Sequence, residues 1–268
     1  MALINRSCPI GFFDSGVGGI SIFNNAASQL PDENFLYLAD SLNAPYGIKS
    51  KEQITDLSIK NTDFLVNKGC KMIVVACNTA TTNAIDKLRE KYKIPFVGIE
   101  PAVKPAILHS KVNRIGVLAT KGTLSSELFA NSNQYASLNH TDIIEVEGKG
   151  LVEAVEANNI HNNTFRRKLL ELIQPFIDKK VDYLVLGCTH YSFLKPILSD
   201  LLPDNIKIID AVKPVTQQIK KLLTMHSLEN KTDEKKEYLF YSNKHPDMIT
   251  HFINSSLKDK VRINYLDF

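Results

Sequence analysis

The stretch Met72-Ile73-Val74-Val75-Ala76-Cys77-Asn78-Thr79-Ala80-Thr81 decides the fold class. An apolar, β-branched run is followed by a small residue, a thiol and a hydroxyl-rich turn. Continuous rather than alternating hydrophobicity marks a strand covered on both faces, as in a parallel sheet. The same order returns downstream, as Tyr183-Leu184-Val185-Leu186-Gly187, then Cys188, then Thr189-His190-Tyr191. A helix-like stretch follows each thiol.

Working outward, the pattern predicts strands over 10–13, 34–38, 72–75 and 96–99, with helices over 19–30, 51–68 and 83–92. Strands alternating with helices argue for βαβ units. The pattern restarts at Arg114-Ile115-Gly116-Val117-Leu118, which echoes Pro9-Ile10-Gly11-Phe12-Phe13. Each run leads into a polar, Gly-containing turn. Gly11 precedes Cys77 by 77 − 11 = 66 residues, and Gly116 precedes Cys188 by 188 − 116 = 72. The expected fold class is therefore α/β, with two pseudo-symmetric domains, mainly parallel sheets and a cleft between them. The first domain is expected to comprise 1–100 plus 209–268, and the second 101–208, with the break near 100–105. Further on, 206–209 and 238–241 read as strands, 212–223 as a helix and 231–237 as a charged loop. That tail is placed to rejoin the first domain.

Composition narrows the function classes. At 268 residues, 44% hydrophobic and 23% charged, the chain has an ordinary globular make-up. A net charge of +3, scattered along the chain, argues against nucleic-acid or membrane binding. The four cysteines (8, 70, 77 and 188) form no CxxC pair, which points to a reducing, cytoplasmic setting. The short apolar stretch 9–13, broken at Asp14, does not read as a signal peptide. No run approaches the ~20 apolar residues of a membrane span.

The thiols carry the chemistry. Ligand sites in open α/β sheets lie at the carboxyl ends of strands, where Cys77 and Cys188 fall. A thiol there meets the positive end of the following helix, which is expected to lower its pKa. Free backbone N–H groups in the same turn suit a carboxylate, and Thr79 and Thr189 add hydroxyls. Two matched thiols fit a cofactor-free proton shuttle at carbon. Cys8 and Cys70 read as small buried hydrophobes. Asp14 ends the first strand, before Gly16-Val17-Gly18-Gly19. That loop lacks the third glycine of a dinucleotide fingerprint, because position 21 is Ser. It reads as a phosphate cradle or as a tight turn that lets backbone approach a ligand. Asp14 is an N-cap or a group that orients a thiol. His190 suits an orienting or proton-relay role.

Four segments in order resemble the glutamate racemases of the aspartate/glutamate racemase superfamily: Phe13-Asp14-Ser15-Gly16-Val17-Gly18-Gly19, Ala39-Asp40 with Pro45-Tyr46-Gly47, Ala76-Cys77-Asn78-Thr79-Ala80, and Leu186-Gly187-Cys188-Thr189-His190-Tyr191. The resemblance implies cofactor-independent racemisation of L-glutamate to D-glutamate, which supplies peptidoglycan synthesis. It implies Cys77 and Cys188 as opposed acid and base, with Asp14 and His190 assisting. It implies substrate contacts from Asp14, Ser15, Tyr46, Gly47, Asn78, Thr79, Thr189 and His190, and no cofactor or metal. A family glutamate falls at Glu153 or Glu156 and stays unassigned between them. A homodimer and regulation by a peptidoglycan precursor are further implications. The alternatives are an aspartate racemase, a hydrolase or transferase with Cys188 as nucleophile and His190 as base, and a non-catalytic binding module. Zinc at Cys77, Cys188 and His190 lacks the usual ligand spacing.

Overall fold

A computed structural model describes residues 5–232 and 236–267. The expected charged loop at 231–237 lies partly outside them, at 233–235. Among the described residues ten strands form two sheets, and every pairing between neighbours is parallel. The strands are β1 (Ile10–Asp14), β2 (Phe35–Ala39), β3 (Met72–Val75), β4 (Phe96–Gly98), β5 (Arg114–Ala119), β6 (Asp142–Glu147), β7 (Tyr183–Gly187), β8 (Lys207–Ile209), β9 (Tyr238–Ser242) and β10 (Val261–Tyr265). The helices are α1 (Ile20–Gln29), α2 (Lys51–Asn67), α3 (Asn78–Lys91), α4 (Val103–His109), α5 (Lys121–Leu124), α6 (Glu127–Leu138), α7 (Leu151–Glu156), α8 (Asn163–Asp178), α9 (Lys195–Leu201) and α10 (Val212–Met225).

The larger sheet runs β10-β9-β2-β1-β3-β4, and the smaller β6-β5-β7-β8. The order β2-β1-β3-β4 thus repeats as β6-β5-β7-β8, and the registers repeat too. Gly11 faces Ile73, four residues before Cys77, and Gly116 faces Leu184, four residues before Cys188. The two thiols therefore occupy equivalent places. The tail adds β9 beside β2, with Ala39 opposite Ser242.

Packing fixes the sheets to one another. Phe23 of α1 meets Phe12, Phe35, Tyr238 and Phe240 edge-on, with centroids 4.7–6.3 Å apart, a favoured ring geometry. One apolar cluster runs from these rings through Leu118 and Leu186 to Leu198 and Ile219, crossing from sheet to sheet.

Two local departures concern the thiol turns. The helix expected at 83–92 begins at Asn78. The Asn/Thr-rich start has poor intrinsic helicity, but Cys77 is its N-cap and accepts from the Ala80 N–H at 3.4 Å. Burial of Thr79, Ala80 and Thr81 supplies the rest. After Cys188 the chain forms a 3-10 turn, Thr189–Leu194, and the α-helix starts only at Lys195 with Pro196 in its first turn.

Candidate active site

Cys77 and Cys188 line one cavity between the sheets, together with Ser15, Pro45, Tyr46, Gly47, Asn78, Thr79, Thr120, Val152, Thr189 and His190. Several are pseudo-equivalent pairs set by the repeated register: Ser15 with Thr120, Cys77 with Cys188, Asn78 with Thr189. The carboxamide of Asn78 is buried and makes no hydrogen bond among the described residues. A buried polar group of that kind calls for an outside partner. The cavity holds about 10 Å³, the room of a single water. Two contacts join the halves beside it: Thr79 Oγ1 and Thr120 Oγ1 lie 2.9 Å apart, and Asn83 Nδ2 donates to the Gly122 carbonyl at 3.4 Å.

Every expected site residue except Asp14 reaches the lining. Asp14 stands one layer behind, where Oδ1 accepts from the Ser15 N–H at 2.8 Å and Oδ2 from the Gly19 N–H at 2.6 Å. It thereby shapes the turn that presents Ser15, whose Oγ lies 3.7 Å from the Cys77 sulfur. The glycine loop is a close-approach turn, not a phosphate cradle. A Cβ on Gly16 would fall 1.8 Å from Glu156 Oε1, and one on Gly18 would fall 2.3 Å from His190 Nδ1. The space a phosphate would need is filled by the other half of the chain.

Around Cys188 the groups form a chain. Its sulfur lies 3.7 Å from His190 Nδ1, and His190 Nε2 lies 2.6 Å from Glu156 Oε1. The same carboxylate oxygen accepts from the Val17 N–H at 2.8 Å. Glu156 therefore ties the β1 turn to the Cys188 side, whereas Glu153 is exposed. Sequence reading left this pair undecided and missed Thr120. Both carried a signal: Glu156 follows Val152 by one helical turn and shares its face, and Thr120 follows Gly116 as Ser15 follows Gly11.

Burial governs the electrostatics. It pushes the Cys77 thiol well above the ordinary value, and the Asp14 carboxylate pushes it further, against the Ala80 N–H and the Ser15 hydroxyl. The expectation that a helix start lowers this thiol is thus corrected, because desolvation outweighs the helix. For His190, burial pulls downward, but bonding to Cys188 and Glu156 wins and holds the imidazole well above 6.5. Burial lifts Asp14 from 3.8 to about 6, although the His190 charge and the Gly19 N–H oppose it.

Asp14 yields a stability prediction. Its folded value is raised, so its contribution is complete below about pH 4 and is lost as pH rises through about 6. The linked free energy is on the order of 3 kcal/mol. Urea unfolding between pH 4 and 7 should show this decline in the parent chain. Asp14→Asn should flatten it, and an equal slope in both proteins would refute the assignment.

The sequence pattern of the Asp/Glu/Hydantoin racemase family matches residues 20–219. A glutamate racemase of Clostridium perfringens (strain 13 / Type A) is 41% identical over 232 residues, covering 86% of this chain and 88% of that protein. Glutamate racemase isoform RacE1 from Bacillus anthracis superposes with a TM-score of 0.86 at 26% identity, over 98% of this chain and 99% of that one. Escherichia coli glutamate racemase, solved with L-glutamate and the activator UDP-MurNAc-ala, gives 0.81 at 28% identity, over 97% and 98%. A family pattern spanning most of the chain, a relative this similar over most of both lengths and a shared two-sheet fold lead to one conclusion: the chain belongs to the Asp/Glu/Hydantoin racemase family.

Proposed function

We propose that this protein is a glutamate racemase that interconverts L- and D-glutamate with its own side chains alone. One observation carries the proposal: two register-equivalent cysteines line a single cavity. Racemisation removes the α-proton from one face of the substrate and delivers a proton to the other. One sulfur must be thiolate and the other thiol, with the roles exchanged for the opposite enantiomer. His190, held toward its cationic form, is the positive charge beside the Cys188 sulfur. Cys77 has Asp14 as its charged neighbour, so its thiolate needs a cation from outside the chain. The substrate ammonium supplies one. The free carboxamide of Asn78 and the N–H groups at the start of α3 are donors for substrate carboxylates and for the charge that develops at the α-carbon. Asp14, Ser15, Tyr46, Gly47, Thr79, Thr189 and His190 complete the proposed substrate shell. Closure over the substrate excludes water and lets those dipoles act at low dielectric.

The proposal extends to a cytoplasmic homodimer serving peptidoglycan synthesis, with residues 1–100 plus 209–268 and 101–208 as its two domains. These rest on the family resemblance and on four free cysteines. The E. coli relative's activator makes a precursor response part of the proposal, which the same assay with UDP-MurNAc-ala added tests.

The experiment is turnover of L-glutamate in D₂O, with chiral separation of the products. The D-enantiomer should carry deuterium at the α-carbon from the earliest time points. D-glutamate formed with its protium intact would overturn the two-thiol route. A second reading has its own support, since the order Cys188–His190–Glu156 matches a nucleophile, its base and an orienting carboxylate. A cysteine hydrolase of that kind would form a trapped acyl-enzyme and would survive loss of Cys77.

A further inference from the structure

The parallel register of β2 with β9 sets Ala39 opposite Ser242. The next residues, Asp40 and Asn243, therefore leave the sheet side by side at its carboxyl end, next to the cavity. Both are buried. Asn243 Nδ2 donates to Asp40 Oδ1 at 2.6 Å, and Asn243 Oδ1 accepts from the Leu42 N–H at 2.8 Å. One side chain thus serves a carboxylate and a backbone donor at once, which a carboxamide does and a carboxylate or an aliphatic group does not.

Asp40 passes this constraint on. Its Oδ1 also accepts from Asn43 Nδ2 at 2.8 Å, and its Oδ2 accepts from the Tyr46 hydroxyl at 2.5 Å. That hydroxyl accepts from Asn61 Nδ2 at 3.0 Å. Tyr46 is buried and lines the cavity with Gly47. Gly47 in turn abuts Thr120 of the other half, since a Cβ there would lie 3.0 Å from the Thr120 Cβ. The outer side of this loop is open, with Leu42 59% exposed. Its inner side is fastened to the rest of the fold through Asp40 and Asn243.

We propose that Asn243 is a positioning residue for racemisation: it clamps the 40–47 loop from the carboxyl-terminal strand and so sets the cavity wall formed by Tyr46 and Gly47. This rests on the function proposed above. Asn243 does not touch the cavity, so its loss should weaken substrate binding more than it slows the proton transfers.

The test compares Asn243→Ala, Asn243→Ser and Asn243→Asp with the parent chain. Losing a hydrogen bond to a buried charged group should raise the KM for glutamate about tenfold in Asn243→Ala, with kcat held within about threefold. Asn243→Ser keeps a donor in a smaller side chain and should fall between parent and alanine. Asn243→Asp is nearly isosteric but sets carboxylate against carboxylate, so it should be worse than alanine, the reverse of the order packing would give. Amide hydrogen exchange is read in parallel. Peptides covering 40–47 should exchange faster in the variants while β1 and β3 keep their protection. An unchanged KM, an aspartate variant better than alanine, or unchanged exchange over 40–47 would each overturn the clamp. If the parent chain fails to interconvert the glutamate enantiomers, the proposed function falls instead, and the exchange measurement still decides the clamp.

Discussion

Replacing either Cys77 or Cys188 by alanine should abolish interconversion of the glutamate enantiomers. General acid–base groups contribute about a hundredfold to ten-thousandfold each, and in the proposed mechanism each thiol is the sole proton donor or acceptor on its face. A loss of at least about a thousandfold is expected in both directions. The residual chemistry should differ between the variants. Each keeps one thiol and can still exchange the α-proton on that face, so in D₂O one enantiomer should wash in deuterium without inverting, and the two variants should select opposite enantiomers. Serine at either position should impair the two directions unequally, because a hydroxyl is a far poorer base than a thiolate. Thermal unfolding guards against a trivial loss, since a buried Cys→Ala change removes one sulfur and leaves the sheets intact. Racemisation by Cys188→Ala at the parent rate would exclude two-base chemistry. Absence of racemisation in the parent chain, with an acyl-enzyme trapped on Cys188 that persists without Cys77, would transfer the site to the Cys188–His190–Glu156 hydrolase reading.

The central strands were legible because burial on both faces writes them as unbroken apolar runs. Ile10–Asp14, Met72–Val75 and Tyr183–Gly187 are of this kind, and the polar residue that ends each run marks the carboxyl end where ligands bind. β6 and β10 were not read from the sequence. They are edge strands with mixed, largely open faces, so their residues answer to solvent and lose the pattern. The start of α3 was hidden for another reason: Asn78-Thr79-Ala80-Thr81 opposes helix by propensity and is held helical by burial and the Cys77 cap. Sequence spacing also cannot weigh desolvation against a helix terminus, so the pKa direction of Cys77 was misjudged. The long-range partners were least visible. Glu156 is 139 residues from Val17 and Asn243 is 203 from Asp40, and only the repeated sheet order and the returning tail bring them together.

Glu156→Gln should slow racemisation by about ten- to a hundredfold, the worth of a charge-assisted hydrogen bond in a buried site. The amide can still present an oxygen to Val17, so the link between halves is weakened less than the link to His190. What disappears is the negative charge that holds the imidazole protonated. Burial, which pulls His190 downward, then gains ground, and its folded pKa falls. The sign follows directly. The parent His190 has a raised folded value, so its contribution is full below 6.5 and fades as pH climbs through that raised value. In the glutamine variant this window closes at lower pH. Activity should follow, with the alkaline limb of kcat shifted toward acid and the two directions of turnover affected unequally, because only Cys188 sits beside this imidazole. Glu156→Ala should add a stability loss through the Val17 N–H left without its acceptor. Rate–pH profiles for L- and D-glutamate decide the matter. An unmoved alkaline limb in Glu156→Gln would mean that Glu156 fastens two pieces of chain and leaves the proton of His190 alone, and the asymmetry between the two thiols would need another source.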